Sequence, residues 1–540
     1  MVAMEGSLPR ADTLLVNGRI YTLDARWPWA SEMAISGERI LAVGEDVRHT
    51  AARGCTMVDL EGRCVLPGLT DCHVHFAAYA LGRLELDLRA ARSLNDLLAR
   101  LAEQAAQPPA RGYPGEWIIG ANWDAEGWPE ARFPTAADLD QVVATRPVML
   151  TAKNGHALVA NSLALQLAEV GAATPDPPGG RIGRTADGGP DGMLYDAAME
   201  LVQQVAPRPA PAELDSALRA AFPEAWRVGL TTIHDMGDAA AFAAYRRLEL
   251  LGPLGLRVIH YLPLELLDEA LAAPLHTGAH ENWLRVGGIK LFADGALGSR
   301  TAAMFAPYHG EPDNLGLLAM EEEALRAVAQ RAVAGRFPLA VHAIGDRANR
   351  LVLDVLEAVG PVEGESAAPH RIEHVQLLDP ADVGRLAALN VVASMQPLHA
   401  TQDRRMAERY WGERCANAYA WRSLLEAGTV LAFGSDCPVE DLNPFLGIHA
   451  AVTRRSLDGA PGPEGWYPEQ RLTVTEALTA YTVGAAYAGG VEDRLGSLAP
   501  GKLADLIILD RDVFTCPEEE LPRTEVIATM IGGQFVYGHP

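Results

Sequence analysis

The chain of 540 residues has the composition of a globular protein, with 49% hydrophobic and 21% charged residues. Its formal net charge of −25 argues against nucleic acid or an anionic membrane as a partner, because both attract basic surfaces. The sequence shows neither a signal-peptide pattern nor an apolar run of about 18 residues. The six cysteines contain no Cys-x-x-Cys pair and are too sparse for a disulfide framework, so we expect a cytoplasmic protein.

Both ends of the chain carry the signals of short strands and tight turns. Residues 12–66 alternate apolar and polar positions around Asn-Gly, Ser-Gly-Glu and Glu-Gly turns, which is the pattern of β-hairpins. The segments "GSLAPGKLADLIILDRD" and "VIATMIGGQFVYG" repeat this style near the end of the chain. Residues 1–66 and 480–540 are therefore predicted to form one composite β-sandwich.

The middle of the chain, residues 67–479, alternates short aliphatic runs with helical patterns such as "EEALRAVAQRAVAG". Alternation of strands and helices predicts a parallel sheet, and eight such strands predict an α/β fold with a closed (β/α)₈, TIM-like barrel. The eight predicted strands lie in "CVLPGLTDCHVHF", "GLTTIHDMG", "GLRVIHYLPL", "RVGGIKLFADG", "FPLAVHAIGD", "HRIEHVQL", "NVVASMQP" and "TVLAFGSDCP".

The interval between the first and second predicted strands is too long for one helix. Residues 82–222 are therefore predicted to be an insertion, with strands of its own in "EWIIGANWD" and "RPVMLTAKNGHALVAN". Insertions on barrels often shape the substrate pocket. The alternative is a packing subdomain remote from the chemistry.

Polar side chains stand at the carboxyl ends of the predicted strands, where barrel enzymes place their catalytic groups. His73 and His75 face the same side of a strand because side chains alternate with period two. Neutral imidazole and carboxylate are usual ligands of zinc, so the sequence predicts a metal site at the barrel mouth. Each residue alone is compatible with an ordinary structural role. The candidate metal-binding residues are His73, His75, Lys290, His342, His374 and Asp436.

Lysine is rare in this chain, since only Lys153, Lys290 and Lys502 occur among 45 basic residues. An ammonium group would repel a metal ion. A lysine amine that reacts with carbon dioxide becomes an anionic carbamate that can bridge two metals, and a guanidinium group cannot do this. The presence of Lys290 at the end of the fourth predicted strand therefore indicates that the site chemistry needs an amine. A salt bridge of Lys290 is the alternative.

In combination, several motifs resemble the amidohydrolase superfamily, most closely its amidohydrolase-3 branch, which includes N-substituted formamide deformylase and YtcJ-like hydrolases. The resemblance covers nearly the whole chain. The matching motifs are "PGLTDCHVHF", "GGIKLFADGALGSRTA", "VHAIGDRA", "RIEHVQ", "AFGSDCPV" and "GSLAPGKLADLIILD".

The resemblance implies a metal-dependent hydrolase that is a homodimer and holds one or two divalent ions, with zinc expected first. By position, His73, His75 and Asp436 would hold one ion, His342 and His374 the second, and carbamylated Lys290 would bridge them. A metal-activated hydroxide would then attack a carbonyl carbon. Asp436 would accept the proton of the water and pass it to the leaving nitrogen.

Substrate contacts are predicted at Asn154 and His156 in the insertion, at an aromatic wall that includes Trp123, at Arg300 and at Gln396. A structural loop histidine is the alternative for His156, ordinary aromatic packing for Trp123, and an acidic neighbour for Arg300.

Three further residues belong to the same segments. Trp128 would extend the aromatic wall, and Ser299 lies just beyond the strand-four lysine. Asp346 is expected to orient a loop or a ligand histidine rather than to bind a metal.

The leading function is therefore hydrolysis of a non-peptide amide, an N-formyl or an N-acyl bond of a small molecule. Hydrolytic deamination of a ring uses the same activated water, but deaminases of this superfamily generally lack the bridging lysine. Ester, lactone or phosphotriester hydrolysis on the same centre stays open. A non-enzymatic binding protein is disfavoured because all six ligand positions are filled.

Overall fold

The computed structural model describes residues 10–107, 117–125, 127–207, 209–273, 275, 277–278, 283–364 and 368–539. This part of the chain forms a parallel barrel, a pair of sheets built from both ends of the chain, and a further sheet that follows the first barrel strand.

An eight-stranded parallel sheet forms the barrel, and its strands neighbour one another in chain order. Almost every strand residue is buried, as expected for parallel strands that are covered on both faces. The prediction of a (β/α)₈ barrel is confirmed. The strands span Leu69–Val74, Leu230–Asp235, Arg257–Pro263, Leu284–Phe292, Leu339–Ala343, Arg371–His374, Val392–Met395 and Leu431–Phe433.

Backbone hydrogen bonds join the last barrel strand to the first at the end where both strands terminate. The backbone N–H of Asp436 donates to the His73 carbonyl oxygen at 2.7 Å, and that of His75 donates to the Cys437 carbonyl oxygen at 2.9 Å. A Cβ atom on Gly434 would lie 2.5 Å from the His73 nitrogen, so glycine allows this close approach. The seam places the two histidines of the first strand beside Asp436.

Helices cover the outside of the barrel and bury their apolar sides against it. Asp346–Val359, for example, buries Val352, Leu353 and Leu356. Among the described residues, no helix has both the length and the apolar composition that crossing a bilayer requires. The helices between and after the barrel strands are Phe76–Gly82, Pro211–Arg227, Ala239–Leu250, Leu267–Ala272, Glu322–Ala334, Asp346–Val359, Val383–Ala388, Pro397–Gln402, Arg404–Trp411, Trp421–Glu426, Pro444–Thr453, Val474–Thr479, Ala480–Gly484 and Ala485–Ala488.

Two sheets from the ends of the chain share one apolar core, in which Leu15 and Ile35 of one sheet meet Val65, Leu506 and Met530 of the other. This is the face-to-face packing of a β-sandwich. The four-stranded sheet contains Arg39–Gly44, Glu32–Ser36, Ala11–Val16 and Ala51–Asp59, and the six-stranded sheet contains Gln534–Gly538, Val526–Ile531, Leu506–Leu509, Cys64–Pro67, Arg19–Tyr21 and Trp29–Ala30.

The insertion forms a six-stranded sheet with its own apolar core, and the ends of its strands reach the barrel mouth. Of the two roles considered for the insertion, the structure favours the one that shapes the pocket. Its strands are Gly180–Arg184, Pro190–Asp196, Ala157–Ala160, Val148–Ala152, Ile118–Trp123 and Leu86–Asp87, and its helices are Leu94–Ala105, Ala136–Asp140, Ser162–Leu167 and Glu200–Gln203.

Two segments pack differently from the predicted divisions of the chain. Helix Pro211–Arg227, of which residues 211–222 fall within the predicted insertion, packs on the barrel, where Phe222 stacks on Phe76 at 5.9 Å between ring centroids. Ala485 and Ala488, predicted with the sandwich, share a cluster with apolar residues of three barrel strands. In both cases the apolar side of a helix, which the strand patterns did not register, decides the neighbour.

Candidate metal centre and active site

A cavity of about 880 Å³ opens at the carboxyl ends of the barrel strands, which is where barrels carry their active sites. Residues 121–125 and 151–157 of the insertion contribute part of its wall. The structure therefore brings together side chains that are far apart in the chain, such as His73 and Asp436, which are 363 positions apart. All six predicted metal-binding residues line the cavity, namely His73, His75, Lys290, His342, His374 and Asp436.

The carboxylate of Asp436 lies among the imidazoles. Its Oδ1 atom is 3.5 Å from His73 Nε2 and 3.4 Å from His75 Nε2. Two ligand atoms about 2.1 Å from a tetrahedral zinc ion are about 3.4 Å apart, so these separations suit a shared ion. Donor atoms of His73, His374 and Asp436 all lie within 4.8 Å of one another. The donor set and its spacing fit a divalent metal ion.

Lys290 and His342 complete the cluster on its other side. The rings of His342 and His374 are 4.6 Å apart between centroids. The Lys290 Nζ atom is buried and has no hydrogen-bond partner among the described residues, although it lies 4.9 Å from the centroid of the Phe292 ring. Burial lowers the pKa of Lys290 to about 8, which increases the fraction of neutral amine.

Burial also favours the neutral imidazoles that metal binding requires. It lowers the pKa of His73 to about 4 and the pKa values of His342 and His374 well below their usual range. For Asp436, burial alone would raise the pKa, but the neighbouring imidazoles outweigh burial and lower it well below its ordinary value. The cluster thus presents lone pairs and a carboxylate to the same space.

Each of three candidate ligand histidines has a hydrogen-bond acceptor behind its ring. The acceptor takes the N–H of one ring nitrogen, so the other nitrogen turns its lone pair toward the cavity. The three bonds are His73 Nδ1 to Glu373 Oε2 at 2.5 Å, His342 Nε2 to the Gly295 carbonyl oxygen at 2.9 Å, and His374 Nδ1 to Gln396 Oε1 at 2.8 Å.

The acceptor behind His73 belongs to an ion pair inside the barrel. Arg371 and Glu373 are both fully buried, and the guanidinium Nε and Nη2 atoms donate to the two carboxylate oxygens at 2.5 and 2.9 Å. Burial would raise the pKa of Glu373, but Arg371 and His73 outweigh burial and hold it well below the ordinary value. An ionised Glu373 therefore orients His73.

The insertion places two predicted substrate contacts in the cavity wall. His156 lies beside His342, with ring centroids 5.2 Å apart, and its Nδ1–H donates to Asp196 Oδ1 at 2.7 Å. Asn154 also lines the cavity, and its Oδ1 accepts the backbone N–H of His156 at 3.0 Å. His156 therefore lies at the cavity, where a substrate contact requires it, while its bond to Asp196 also suits the alternative of a structural loop histidine; the contact stays a prediction.

The aromatic wall and the arginine also lie in the cavity. Trp123 and Trp128 line it with ring centroids 6.3 Å apart, while each indole N–H donates to a backbone carbonyl oxygen of the insertion. Arg300 lines the cavity and is paired with Glu311, which is the acidic neighbour considered as the alternative to a substrate anion. Ser299 is buried in the same loop.

Two residues have other contacts than those first considered. Gln396, predicted to contact the substrate, is buried behind His374 and accepts its Nδ1–H, because it directly follows the seventh barrel strand, beside the end of the strand that carries His374. Asp346 orients a loop, since it accepts the backbone N–H of Phe305 at 2.9 Å. The carboxylate near His342 is that of Asp294, at 3.5 Å from Nε2.

Sequence reasoning missed His399, which lines the cavity from helix Pro397–Gln402. Its Nε2 atom lies 3.8 Å from Asp436 Oδ2. The signal that could have found it is its place three residues after Gln396, in the helix that follows the seventh barrel strand.

An ion pair at the rim was also missed. Lys153 of the insertion donates to Glu440 Oε1 at 2.5 Å, and both residues line the cavity. The pair connects the insertion to the loop that follows Asp436. Lysine is so rare in this chain that its presence was a usable signal.

The backbone adopts an unusual conformation at several site residues. Asp436, His374 and Asp196 have φ angles of 59°, 77° and 47°, a region that residues other than glycine seldom occupy. Such conformations persist where surrounding structure enforces them, and they concentrate at functional sites.

Comparison with known proteins agrees with this geometry. A model of the Amidohydrolase family matches residues 56–537. The chain is 36% identical to Protein LONG AFTER FAR-RED 3 of Arabidopsis thaliana, over 98% of this chain and 92% of that protein. It is 33% identical to putative amidohydrolase YtcJ of Bacillus subtilis, over 89% of this chain and 90% of the relative.

Two further likenesses concern an enzyme and a solved structure. The chain is 31% identical to N-substituted formamide deformylase of Arthrobacter pascens, over 97% of this chain and 98% of the enzyme. The crystal structure of an uncharacterized metal-dependent hydrolase from Pyrococcus horikoshii superposes with a TM-score of 0.76 at 29% identity, covering 94% of this chain and 99% of the other.

Proposed function

The chain belongs to the amidohydrolase family of metal-dependent hydrolases, and on that premise we propose that it cleaves a non-peptide carbon–nitrogen bond in an N-formyl or N-acyl compound. The position of Asp436 carries the proposal. Its Oδ1 faces His73 and His75, whereas its Oδ2 lies at 3.8 Å from His399. One carboxylate can therefore hold a metal with one oxygen and move a proton with the other.

The donor set indicates one or two divalent ions, and zinc is the first choice because imidazole and carboxylate suit it. A bound ion supplies a Lewis acid and lowers the pKa of water. The residues that would hold it are His73, His75, Lys290, His342, His374 and Asp436.

The chain's own residues account for the proton movements of amide hydrolysis. Asp436 accepts a proton from the attacking water and returns it to the leaving nitrogen as the carbon–nitrogen bond breaks. His156 and Asn154 contact the acyl group from the insertion, and Trp123 excludes water from that wall.

Lys290 carries a carbamate in this proposal. Its neutral amine adds to carbon dioxide, forming a nitrogen–carbon bond and releasing one proton, and the product is an anion in place of a buried cation. Incubation with ¹³C-labelled bicarbonate should give a carbamate resonance in the wild-type protein. Loss of this resonance in Lys290→Met assigns it, and an unlabelled wild type contradicts the carbamate.

The substrate class is tested on zinc-reconstituted protein with a fixed panel. The panel contains N-formyl-L-phenylalanine, N-acetyl-L-phenylalanine, formanilide, dihydrouracil, γ-butyrolactone and adenine. We expect release of amine together with formate or acetate from the N-acyl members. Turnover of the lactone alone, or ammonia from adenine alone, would show that the bond assignment is wrong.

Asp436→Asn tests the proton transfer. The amide keeps a metal-binding oxygen but cannot accept the proton, so turnover should fall by about 10²–10⁴-fold at unchanged zinc content. Near-wild-type turnover with zinc retained would remove Asp436 from that role.

A further inference from the structure

His399 is a buried imidazole at the cavity that none of the roles above uses. Its side chain is 6% exposed and stacks on His374 with ring centroids 6.0 Å apart. The Nε2 atom is buried and has no hydrogen-bond partner among the described residues, and His399 is one of the residues that line the cavity. A buried polar atom without a partner is costly, so it points to a ligand atom at this position.

A hydrogen-bond donor lies behind the His399 ring, whereas acceptors lie behind the candidate ligand histidines. The side-chain amide N–H of Gln376 donates to His399 Nδ1 at 3.2 Å. With the Gln376 amide oriented so that its Nε2 faces the ring, Nδ1 accepts, and the one N–H of a neutral imidazole lies on Nε2. His73, His342 and His374 have acceptors behind them and turn lone pairs toward the cavity, whereas His399 turns an N–H toward it.

The surroundings of Nε2 favour an N–H there as well. Asp436 Oδ2 lies 3.8 Å away, and a carboxylate stabilises a facing donor. This separation is too long for a hydrogen bond, so the N–H stays available to a substrate atom that lies beside the two groups. A lone pair at Nε2 would instead face the carboxylate unfavourably.

We propose that His399 is a catalytic residue that donates a hydrogen bond from Nε2 to the carbonyl oxygen of the substrate as that oxygen gains negative charge. The proposal rests on the proposed acyl hydrolysis. Asp436 already supplies the proton that the leaving nitrogen needs, whereas the carbonyl oxygen needs a fixed donor. The hydrogen bond moves no proton, so the reaction balance is unchanged.

Two substitutions separate this role from a structural one. The amide of His399→Asn ends near the Nδ1 position, so it can keep the bond to Gln376 but removes the distal N–H. The longer amide of His399→Gln can place an N–H near the Nε2 position. We expect kcat/KM on the best panel amide to fall about 10²–10³-fold in the asparagine variant, mainly through kcat, and to stay within about tenfold in the glutamine variant.

Methylphosphonate supplies a test that does not depend on turnover. Its tetrahedral anionic oxygens resemble the charged oxygen that forms during hydrolysis. Calorimetry on zinc-loaded protein should show Kd at least about tenfold weaker for His399→Asn than for the wild type and within about threefold for His399→Gln, because a lost hydrogen bond to a charged group has this size. Zinc content and thermal unfolding should match the wild type in both variants.

The outcomes are distinguishable from failure of the proposed function. If the wild type hydrolyses no panel member, the proposed function fails, and the methylphosphonate series still decides the role of His399. Equal losses in both variants, a lost equivalent of zinc, wild-type behaviour of the asparagine variant, or no binding of methylphosphonate to the wild type would each overturn the assignment.

Discussion

Glu373 connects the stability of the barrel to the candidate metal centre, so its substitution should affect both. In Glu373→Gln the side chain keeps its shape but loses its charge, and only one of its two terminal atoms can accept hydrogen bonds. In the wild type the two oxygens accept two bonds from Arg371 and one from His73. The variant leaves the buried guanidinium without a counter-charge and weakens the orientation of His73.

The magnitude follows from the burial of the ion pair. Arg371 and Glu373 are 0% exposed, and loss of one partner from such a pair costs about 3–5 kcal/mol of unfolding free energy. Loss of the acceptor behind a ligand histidine typically lowers metal affinity about 10–100-fold. We therefore expect Glu373→Gln to lower both the unfolding free energy and the zinc affinity.

A second buried pair offers a matched control. Arg257 donates to both oxygens of Asp505, at 2.6 and 3.0 Å, and the two side chains are 8% and 3% exposed. Neither residue is part of the cavity lining. Asp505→Asn should lower stability comparably and leave zinc affinity unchanged.

The assay combines chemical unfolding of the metal-free proteins with zinc titration against a competing chelator at pH 7. If Glu373→Gln binds zinc as tightly as the wild type while losing stability like the Asp505 variant, Glu373 neutralises Arg371 and has no part in orienting His73. If its stability is unchanged, the reasoning about the buried pair is wrong.

Two further predictions concern the wall and the seam of the barrel. The Arg132 hydrogen bonds lower the pKa of Asp138 to about 2 from 3.8, so the stabilisation by this carboxylate is complete above pH 3.8 and is lost as the pH falls through about 2. Asp138→Asn should lower the unfolding free energy by about 1–2 kcal/mol at pH 7, a figure reduced because Arg132 is half exposed. Hydrogen exchange of residues 130–140 should differ less between the variant and the wild type as the pH falls from 4 toward 2. A difference that stays constant would contradict this. Gly434→Ala places a Cβ 2.5 Å from the backbone nitrogen of His73, so the seam must widen. Thermal unfolding should show a loss of about 1–3 kcal/mol of unfolding free energy, and zinc titration should show weaker zinc binding. Gly384→Ala, whose Cβ meets nothing within 4 Å, is the control, and equal behaviour of the two variants would show that the seam tolerates widening.

The helices were harder to assign than the strands. Buried parallel strands are continuous apolar runs, and eight of them in alternation with helices leave few topologies other than a barrel. The helices Pro211–Arg227 and Ala485–Ala488 pack on the barrel, although the bounds drawn from the strand patterns place most of the first with the insertion and the second with the sandwich. An amphipathic pattern shows that a helix buries one side but does not say against which sheet.

The cluster of candidate metal ligands was predictable for a related reason. Parallel strands all end at the same rim, so polar residues at or just after strand ends, such as His374 and Asp436, must converge there. The sequence reaches this result without any knowledge of distances, because the topology alone imposes it.

The tertiary structure decided which way each polar group points. Gln396 and His399 lie three residues apart, yet one supports His374 from behind and the other faces the cavity. The sequence cannot supply this difference, since the orientation of a side chain and the placement of its proton depend on partners from other strands. The amide that faces His399 Nδ1 comes from Gln376, on the loop after the neighbouring strand, and only the folded barrel brings the two together.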